Sequence, residues 1–207
     1  NNYFVDMLKI ACKKGRKISL YTTLVGVKKE MVEEIISLPL NFVVIHVADK
    51  FGYANIEKSE EYYFILEKFI NAKKKDGSPF VNMCNAQTEP DERVKEICKN
   101  KYEIFTEMTD RAGNLENLDL IRNRGLKGKL SCGNLGIGMN NNVLLPDGSV
   151  LLCCMDYGLK HILGNIYQHT YEDIMNGKEM NRVKSGLNGN MDIDILCRNC
   201  SYARERN

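Results

Sequence analysis

Residues 145–177 have the sequence LPDGSVLLCCMDYGLKHILGNIYQHTYEDIMNG, which opens on a turn between two β-forming runs. The Pro-Asp-Gly that follows the first leucine is turn-forming, because proline presets φ and glycine adopts positive φ freely. The flanking runs, residues 142–145 and 149–155, are rich in Val and Leu. This arrangement predicts a β-hairpin.

The same stretch ends on the signals of a helix. Thr170, followed three residues later by Asp173, is the pattern of a capped helix start, and Gly177 is typical of a helix end. We predict a short helix between them and a second helix that runs to about Gly186. The hairpin and the two helices together predict a small α+β unit.

Upstream of this unit, helix-like and strand-like segments alternate. The predicted strands are residues 18–27, 42–47, 80–84 and 102–107. The predicted helices are one that begins near residue 4, then 28–38 and 59–75, and a fourth that has Thr88 as its N-cap and runs to about residue 100. Alternation of this kind forms parallel βα units, and four units are half of an eight-stranded barrel or part of an open one. Glycine-rich sequence from residue 113 onward predicts a boundary between domains at 1–110 and 111–207.

The bulk composition is that of an ordinary globular protein, with 207 residues, 43% hydrophobic and 27% charged. A formal net charge of +2 with interspersed signs favours neither nucleic acid nor a membrane surface as a partner. No apolar run approaches the roughly 20 residues of a membrane span and no signal peptide pattern is found, so we expect a cytoplasmic protein. Because the opening NNYF lacks an initiator Met and falls in a helical pattern, we expect a piece of a longer protein.

Eight cysteines without an export signal favour metal or cluster binding over a disulfide framework. Cys197 and Cys200 form a CxxC, whose two thiolates can bind one metal centre. Cys132 precedes the hairpin and Cys153 lies in its second run, so two earlier thiols can meet the two later ones. Four thiolates suit a [4Fe–4S] cluster or a structural zinc equally well, and the ligand types leave this choice open.

Cys153 and Cys154 are neighbours in a predicted strand, where successive side chains point to opposite faces. Only one of them can readily join a shared site, and we choose Cys153 with Cys154 as the alternate. The remaining cysteines are interpreted as small buried hydrophobes, as free cysteines commonly are: Cys12, Cys84, Cys98 and, outside the site, Cys154.

The order Cys132, Gly148-x4-Cys153 and Cys197-x2-Cys200 resembles the SPASM and Twitch modules, the auxiliary iron–sulfur domains of radical S-adenosylmethionine enzymes. Residues 145–177 resemble that pattern almost throughout, and TDRAGNL at residues 109–115 is similar to the segment that leads into it. The resemblance implies that these four cysteines bind one auxiliary [4Fe–4S] cluster. Since further cysteines after Cys200 are absent, it implies a Twitch-like or truncated SPASM module with a single cluster.

The same resemblance implies that residues 1–110 are the later strands of a partial (β/α)6 radical S-adenosylmethionine barrel. Thr22, Thr23 and His46, at the ends of two predicted strands, would then face the S-adenosylmethionine pocket. The alternative interpretation is that the threonines are ordinary strand residues and His46 a core histidine.

The resemblance further implies a radical oxidoreductase or modifying enzyme in which the auxiliary cluster transfers an electron from a substrate radical. The expected partners are an electron donor such as flavodoxin or ferredoxin and a substrate such as a peptide or a small alcohol. CxxxCxxC, the motif that binds a second [4Fe–4S] cluster and S-adenosylmethionine in that family, is absent from these residues, so we expect this chain alone to be inactive. The alternatives are a zinc-stapled, non-catalytic binding module and a redox-sensing disulfide pair.

Overall fold

The computed structural model describes residues 3–104, 112, 125–132 and 141–206. The chain divides into two compact units, residues 1–107 and 108–207. None of the described helices is long and apolar enough to cross a lipid bilayer.

In the first unit, helices alternate with the strands of a four-stranded sheet in the order β1-β2-β3-β4, and every pair in it is parallel. This confirms an α/β fold with a parallel sheet, whereas the partial barrel stays a prediction. The elements are α1 (Phe4–Lys13), β1 (Ser19–Thr22), α2 (Lys29–Ile36), β2 (Phe42–His46), α3 (Glu60–Asn71), β3 (Met83–Ala86), α4 (Glu92–Ile97) and β4 (Glu103–Ile104).

The core of this unit is built around β2. Val43, Val44 and Ile45 are at most 1% exposed, because β2 lies between β1 and β3 and both of its faces are covered. A continuous apolar run is what such a strand requires. Helices α2 and α3 contribute further buried side chains, among them Ile35 and Phe69.

Two strands of this unit differ from the predicted bounds. β1 ends at Thr22 instead of continuing to residue 27, because Leu24 and Gly26 have positive φ values of 63° and 78° and turn the chain. β3 begins at Met83, three residues later than predicted. Of the predicted strand 102–107, residues 105–107 lie outside the described part of the chain.

The fourth helix starts later than the sequence predicts. Its N-cap is Asp91, whose side chain accepts a hydrogen bond from the backbone N–H of Arg93, so the assignment of Thr88 as the N-cap was wrong. A carboxylate at this position also interacts favourably with the helix dipole. The helix ends at Ile97, since Lys99 and Asn100 adopt positive φ.

The described part of the second unit contains two small antiparallel sheets and two helices. The predicted hairpin is confirmed as β6 (Val143–Leu144) and β7 (Ser149–Leu151), and a third strand, β8 (Ile162–Asn165), was not predicted. β5 (Lys129–Cys132) pairs with β9 (Ala203–Arg206). The remaining elements are α5 (Tyr171–Met175), α6 (Lys178–Leu187) and a 3-10 turn (Leu196–Arg198).

The predicted helix start at Thr170 is also confirmed. The hydroxyl of Thr170 accepts from the backbone N–H of Asp173, and the Asp173 carboxylate accepts from the N–H of Thr170. This reciprocal pair satisfies two backbone donors that the first turn leaves free. The helix it begins packs Ile174 into the core of the unit.

Candidate metal centre

Five cysteines of the second unit line one cavity: the four that were predicted as ligands and Cys154. Cys132 is the last residue of β5, Cys153 follows β7, Cys197 lies in the 3-10 turn and Cys200 comes two residues after that turn. The structure therefore brings together the four cysteines that were predicted as ligands.

The chain folds tightly around the CxxC. The backbone N–H of Cys200 donates to the carbonyl of Cys197, and the N–H of Ala203 donates to the carbonyl of Cys200. Ala203 begins β9 and is paired with Cys132 in the antiparallel ladder. The ladder thus fixes Cys132 beside the end of the CxxC segment, although the two cysteine positions are far apart in sequence.

Burial distinguishes the adjacent thiols of Cys153 and Cys154. β7 ends at Leu151, so the two cysteines lie beyond the strand and the expected alternation of its faces does not apply to them. Cys153 is 7% exposed, whereas Cys154 is exposed at the edge of the same cavity. The interpretation of Cys154 as a small buried hydrophobe was therefore wrong.

The other three cysteines belong to the first unit. Cys84 and Cys98 are buried in its core, and their sulfur atoms form a hydrogen bond at 3.6 Å. Cys12 is half-buried and packs against the same core.

The cavity disfavours the charged form of two of the thiols that line it, Cys153 and Cys197. Its lining among the described residues has no charged side chain. Burial raises the pKa of the Cys153 thiol to about 11. Burial, followed by the electrostatic effect of Cys153, Cys200 and Cys132, raises the pKa of Cys197 to about 12. The thiols are thus close enough to influence one another, and a bound cation would have to displace their protons.

A buried histidine connects the segments that carry the cysteines, and sequence reasoning missed it. His161 is 0% exposed, and its backbone carbonyl accepts from the N–H of Leu152, next to Cys153. Its ring accepts from the N–H of Leu196, next to Cys197. Asp156, also buried, accepts from the backbone N–H groups of Lys160 and His161 and closes the loop that follows Cys153.

The three residues predicted for an S-adenosylmethionine pocket lie at the carboxyl ends of β1 and β2. The hydroxyls of Thr22 and Thr23 accept from the backbone N–H groups of Leu24 and Val25, at 2.9 and 3.4 Å, in the turn after β1. His46 ends β2 and is partly exposed. The pocket stays a prediction, since these contacts also occur in an ordinary turn.

The described residues contain no group of three or more His, Cys, Asp or Glu side chains arranged around a single metal ion. The family model of SPASM, an iron–sulfur cluster-binding domain, matches residues 132–201. The match extends from the first of the four cysteines to the residue after the last. No curated protein and no solved structure matches the chain significantly.

Proposed function

We propose that the second unit binds one [4Fe–4S] cluster through Cys132, Cys153, Cys197 and Cys200. The observation that carries the proposal is the convergence of these four thiols, which come from three separate segments, on one cavity. The match of residues 132–201 to an iron–sulfur cluster-binding domain supports it.

The arrangement of the thiols favours a cluster over a single zinc ion. A tetrahedral zinc site holds its sulfurs about 2.3 Å from one ion, so all four must meet at a point. In a [4Fe–4S] cluster each thiolate binds a different iron, so the four sulfurs surround a volume. Thiols that line a cavity without closing on a single point suit the second arrangement better.

The surrounding residues suit electron transfer. When bound, such a cluster supplies one-electron oxidation and reduction. Four cysteines would occupy one ligand position on each iron and leave none for a substrate. The described lining of the cavity is largely apolar, which would limit the access of water to the cluster. Burial of Cys153 and Cys200, at 7% and 6% exposure, protects two of the ligands from solvent.

We further propose that this unit serves a radical S-adenosylmethionine oxidoreductase or modifying enzyme, in which S-adenosylmethionine and a second [4Fe–4S] cluster generate the radical. The auxiliary cluster would accept an electron from the substrate radical, and flavodoxin or ferredoxin would exchange electrons with the enzyme. Because the 207 residues contain no CxxxCxxC, we expect the chain alone to form no 5′-deoxyadenosine from S-adenosylmethionine and a reductant.

The test is anaerobic reconstitution of the chain with iron and sulfide. We expect broad visible absorption and about four irons and four sulfides per chain. Single changes to Ala at Cys132, Cys153, Cys197 or Cys200 should each lower the iron content strongly. Cys154→Ala is the matched control, because it removes the exposed thiol beside Cys153. A colourless protein with one zinc per chain would support a zinc-stapled binding module instead.

A further inference from the structure

Arg198 places a buried guanidinium inside the CxxC motif. The residue lies between Cys197 and Cys200 and is 8% exposed. Among the described residues, its two terminal nitrogens donate only to backbone carbonyls, at 3.0 to 3.4 Å: those of Leu126, Gly128, Gly186 and Asn190. Its third nitrogen, Nε, is buried and has no hydrogen-bond partner within the described part of the chain.

These contacts position the side chain but do not neutralise it. Arginine stays protonated at any physiological pH, and a carbonyl is a dipole without net charge. No ion pair between described residues includes Arg198, in contrast to Arg182, which pairs with Glu179. A buried charge without a counter-charge is costly, so the fold keeps this cation at an energetic penalty.

We propose that Arg198 is the counter-charge of the bound cluster and raises its reduction potential. This inference rests on the proposed [4Fe–4S] site. A cluster held by four thiolates carries net negative charge, and taking up one electron from a reductant makes it more negative. Arg198 does not line the cavity, but it follows Cys197 directly in sequence and is buried, so its fixed positive charge is poorly screened and stabilises the more negative state of a nearby cluster more strongly.

The sign of this effect follows from the positive charge of Arg198. Asp156 is the other buried acidic or basic side chain besides His161 among the described residues of this unit; it accepts two backbone N–H groups in the loop after Cys153 and acts electrostatically on that thiol. The described lining of the cavity contributes no charge. Arg198 is therefore the buried positive group within the ligand motif itself, and its removal should make the cluster harder to reduce.

The experiment compares midpoint potentials of reconstituted proteins, titrated with titanium(III) citrate and followed by electron paramagnetic resonance. Arg198→Gln keeps amide donors but removes the charge, and we expect a more negative potential. Arg198→Lys keeps the charge and should stay near wild type. Arg204→Gln is the matched control, because it removes an exposed positive charge near Cys200 that solvent already screens.

The outcomes separate this inference from the proposed function. If the wild-type chain binds no iron, the [4Fe–4S] site itself is refuted. If the wild type binds iron but Arg198→Gln has the wild-type potential, or Arg198→Lys shifts as far as Arg198→Gln, the counter-charge role is overturned. If Arg198→Gln fails to retain iron, the iron content of Arg198→Lys is compared with it. Wild-type iron content in Arg198→Lys supports the counter-charge role, and equal loss of iron in both variants refutes it.

Discussion

The Nε2 atom of His161 accepts a hydrogen bond from the backbone N–H of Leu196 at 3.1 Å. Because the accepting nitrogen of a neutral imidazole carries no proton, the proton lies on Nδ1, which donates to Glu179 Oε1 at 2.6 Å. Arg182 donates to both oxygens of Glu179 and holds that carboxylate in place. The ring is therefore fixed in one tautomer between the loop after Cys153 and the residue before Cys197.

Replacing His161 with Leu should leave the Leu196 N–H buried without an acceptor. We expect the region around it to lose about 1–3 kcal/mol of stability, the usual cost of an unsatisfied buried group. The measurement is amide hydrogen exchange, in which the Leu196 amide should exchange faster. His161→Gln retains an acceptor and should preserve most of the protection.

His169 provides the control for this experiment, because it is exposed and lies in the same unit. His169→Leu should leave exchange at Leu196 unchanged. If His161→Leu also leaves that amide protected, the hydrogen bond does not hold the segment before Cys197.

The parts of the fold that sequence predicts well are encoded by residues close together. The Pro-Asp-Gly turn correctly predicted the hairpin, and Thr170 with Asp173 correctly predicted the start of α5. Each of these signals lies within four consecutive residues. The convergence of the four thiols was predicted from their order along the chain. The position of Cys132 beside the CxxC depends on the β5–β9 ladder, and no local sequence pattern predicts that these two strands pair.

Strand β8 was missed because its sequence argues against a strand. It ends in Gly164 and Asn165, both of which are poor strand formers. The glycine is needed because a Cβ at Gly164 would lie 2.9 Å from Cγ1 of Ile174, so α5 packs directly on the strand. The packing of Ile174 against Gly164 therefore outweighs the low strand propensity of glycine here.

His161 and Arg198 could not have been identified from sequence for a related reason. His161 is hydrogen-bonded to Leu196, 35 residues away in sequence, and Arg198 is hydrogen-bonded to Leu126, 72 residues away. A lone histidine in an apolar run and an arginine in a CxxC are each compatible with many roles. Only the burial of both side chains and their hydrogen bonds show which segments they connect.

The raised thiol pKa values predict slow alkylation of Cys153 and Cys197 in protein prepared without iron. With pKa values of about 11 for Cys153 and about 12 for Cys197, less than about 1% of either thiol is ionised at pH 8, and the thiolate is the reactive form. We expect iodoacetamide to modify both more than about a hundredfold more slowly than a cysteine peptide with a pKa of about 8.5. The rates should still be rising with pH at about pH 10, where the peptide has levelled off.

Peptide mapping by mass spectrometry measures each site separately in this alkylation experiment. Cys154, exposed beside Cys153, reports that the reagent reaches the cavity edge. Modification of Cys197 at the rate of the reference peptide would contradict a buried, protonated thiol.

A methyl group at Gly148 should disrupt the turn that leads to Cys153. Gly148 has a φ of +85°, and a Cβ there would lie 2.6 Å from the ring of Tyr167. Gly148→Ala should cost about 2–4 kcal/mol, because backbone strain and steric overlap add. Urea unfolding with pulsed hydrogen exchange, which resolves residues 141–206 from the rest, measures the loss.

Gly77 is the matched control for this substitution. It has nearly the same φ, +82°, but a Cβ there has no neighbour within 4 Å. Gly77→Ala should cost only the strain, about 1–2 kcal/mol, so the difference between the two isolates the contact with Tyr167. Equal losses would mean that Tyr167 moves aside freely.

The hydrogen bonds of Asp49 predict that the loop at residues 51–54 of the first unit is destabilised by acid. Burial alone would raise the pKa of this carboxyl, but hydrogen bonds from the backbone N–H groups of Ala54, Tyr53 and Phe51 outweigh it and hold the pKa below its ordinary value. Since the folded pKa is lower than the unfolded value of about 3.9, the stabilisation is fully present above about pH 5. It is lost as pH falls through the folded pKa.

Hydrogen exchange of the amides in residues 51–54, corrected for the intrinsic pH dependence, should therefore show protection that falls below about pH 4 in the wild type. Asp49→Asn keeps one acceptor oxygen but removes the charge, so protection should be lower at neutral pH, by about 1–3 kcal/mol, and nearly independent of pH. Asp6→Asn, at an exposed carboxylate in α1, should behave as wild type. If Asp49→Asn retains the acid-induced loss, another carboxylate controls the loop, because a neutral amide cannot titrate in this range.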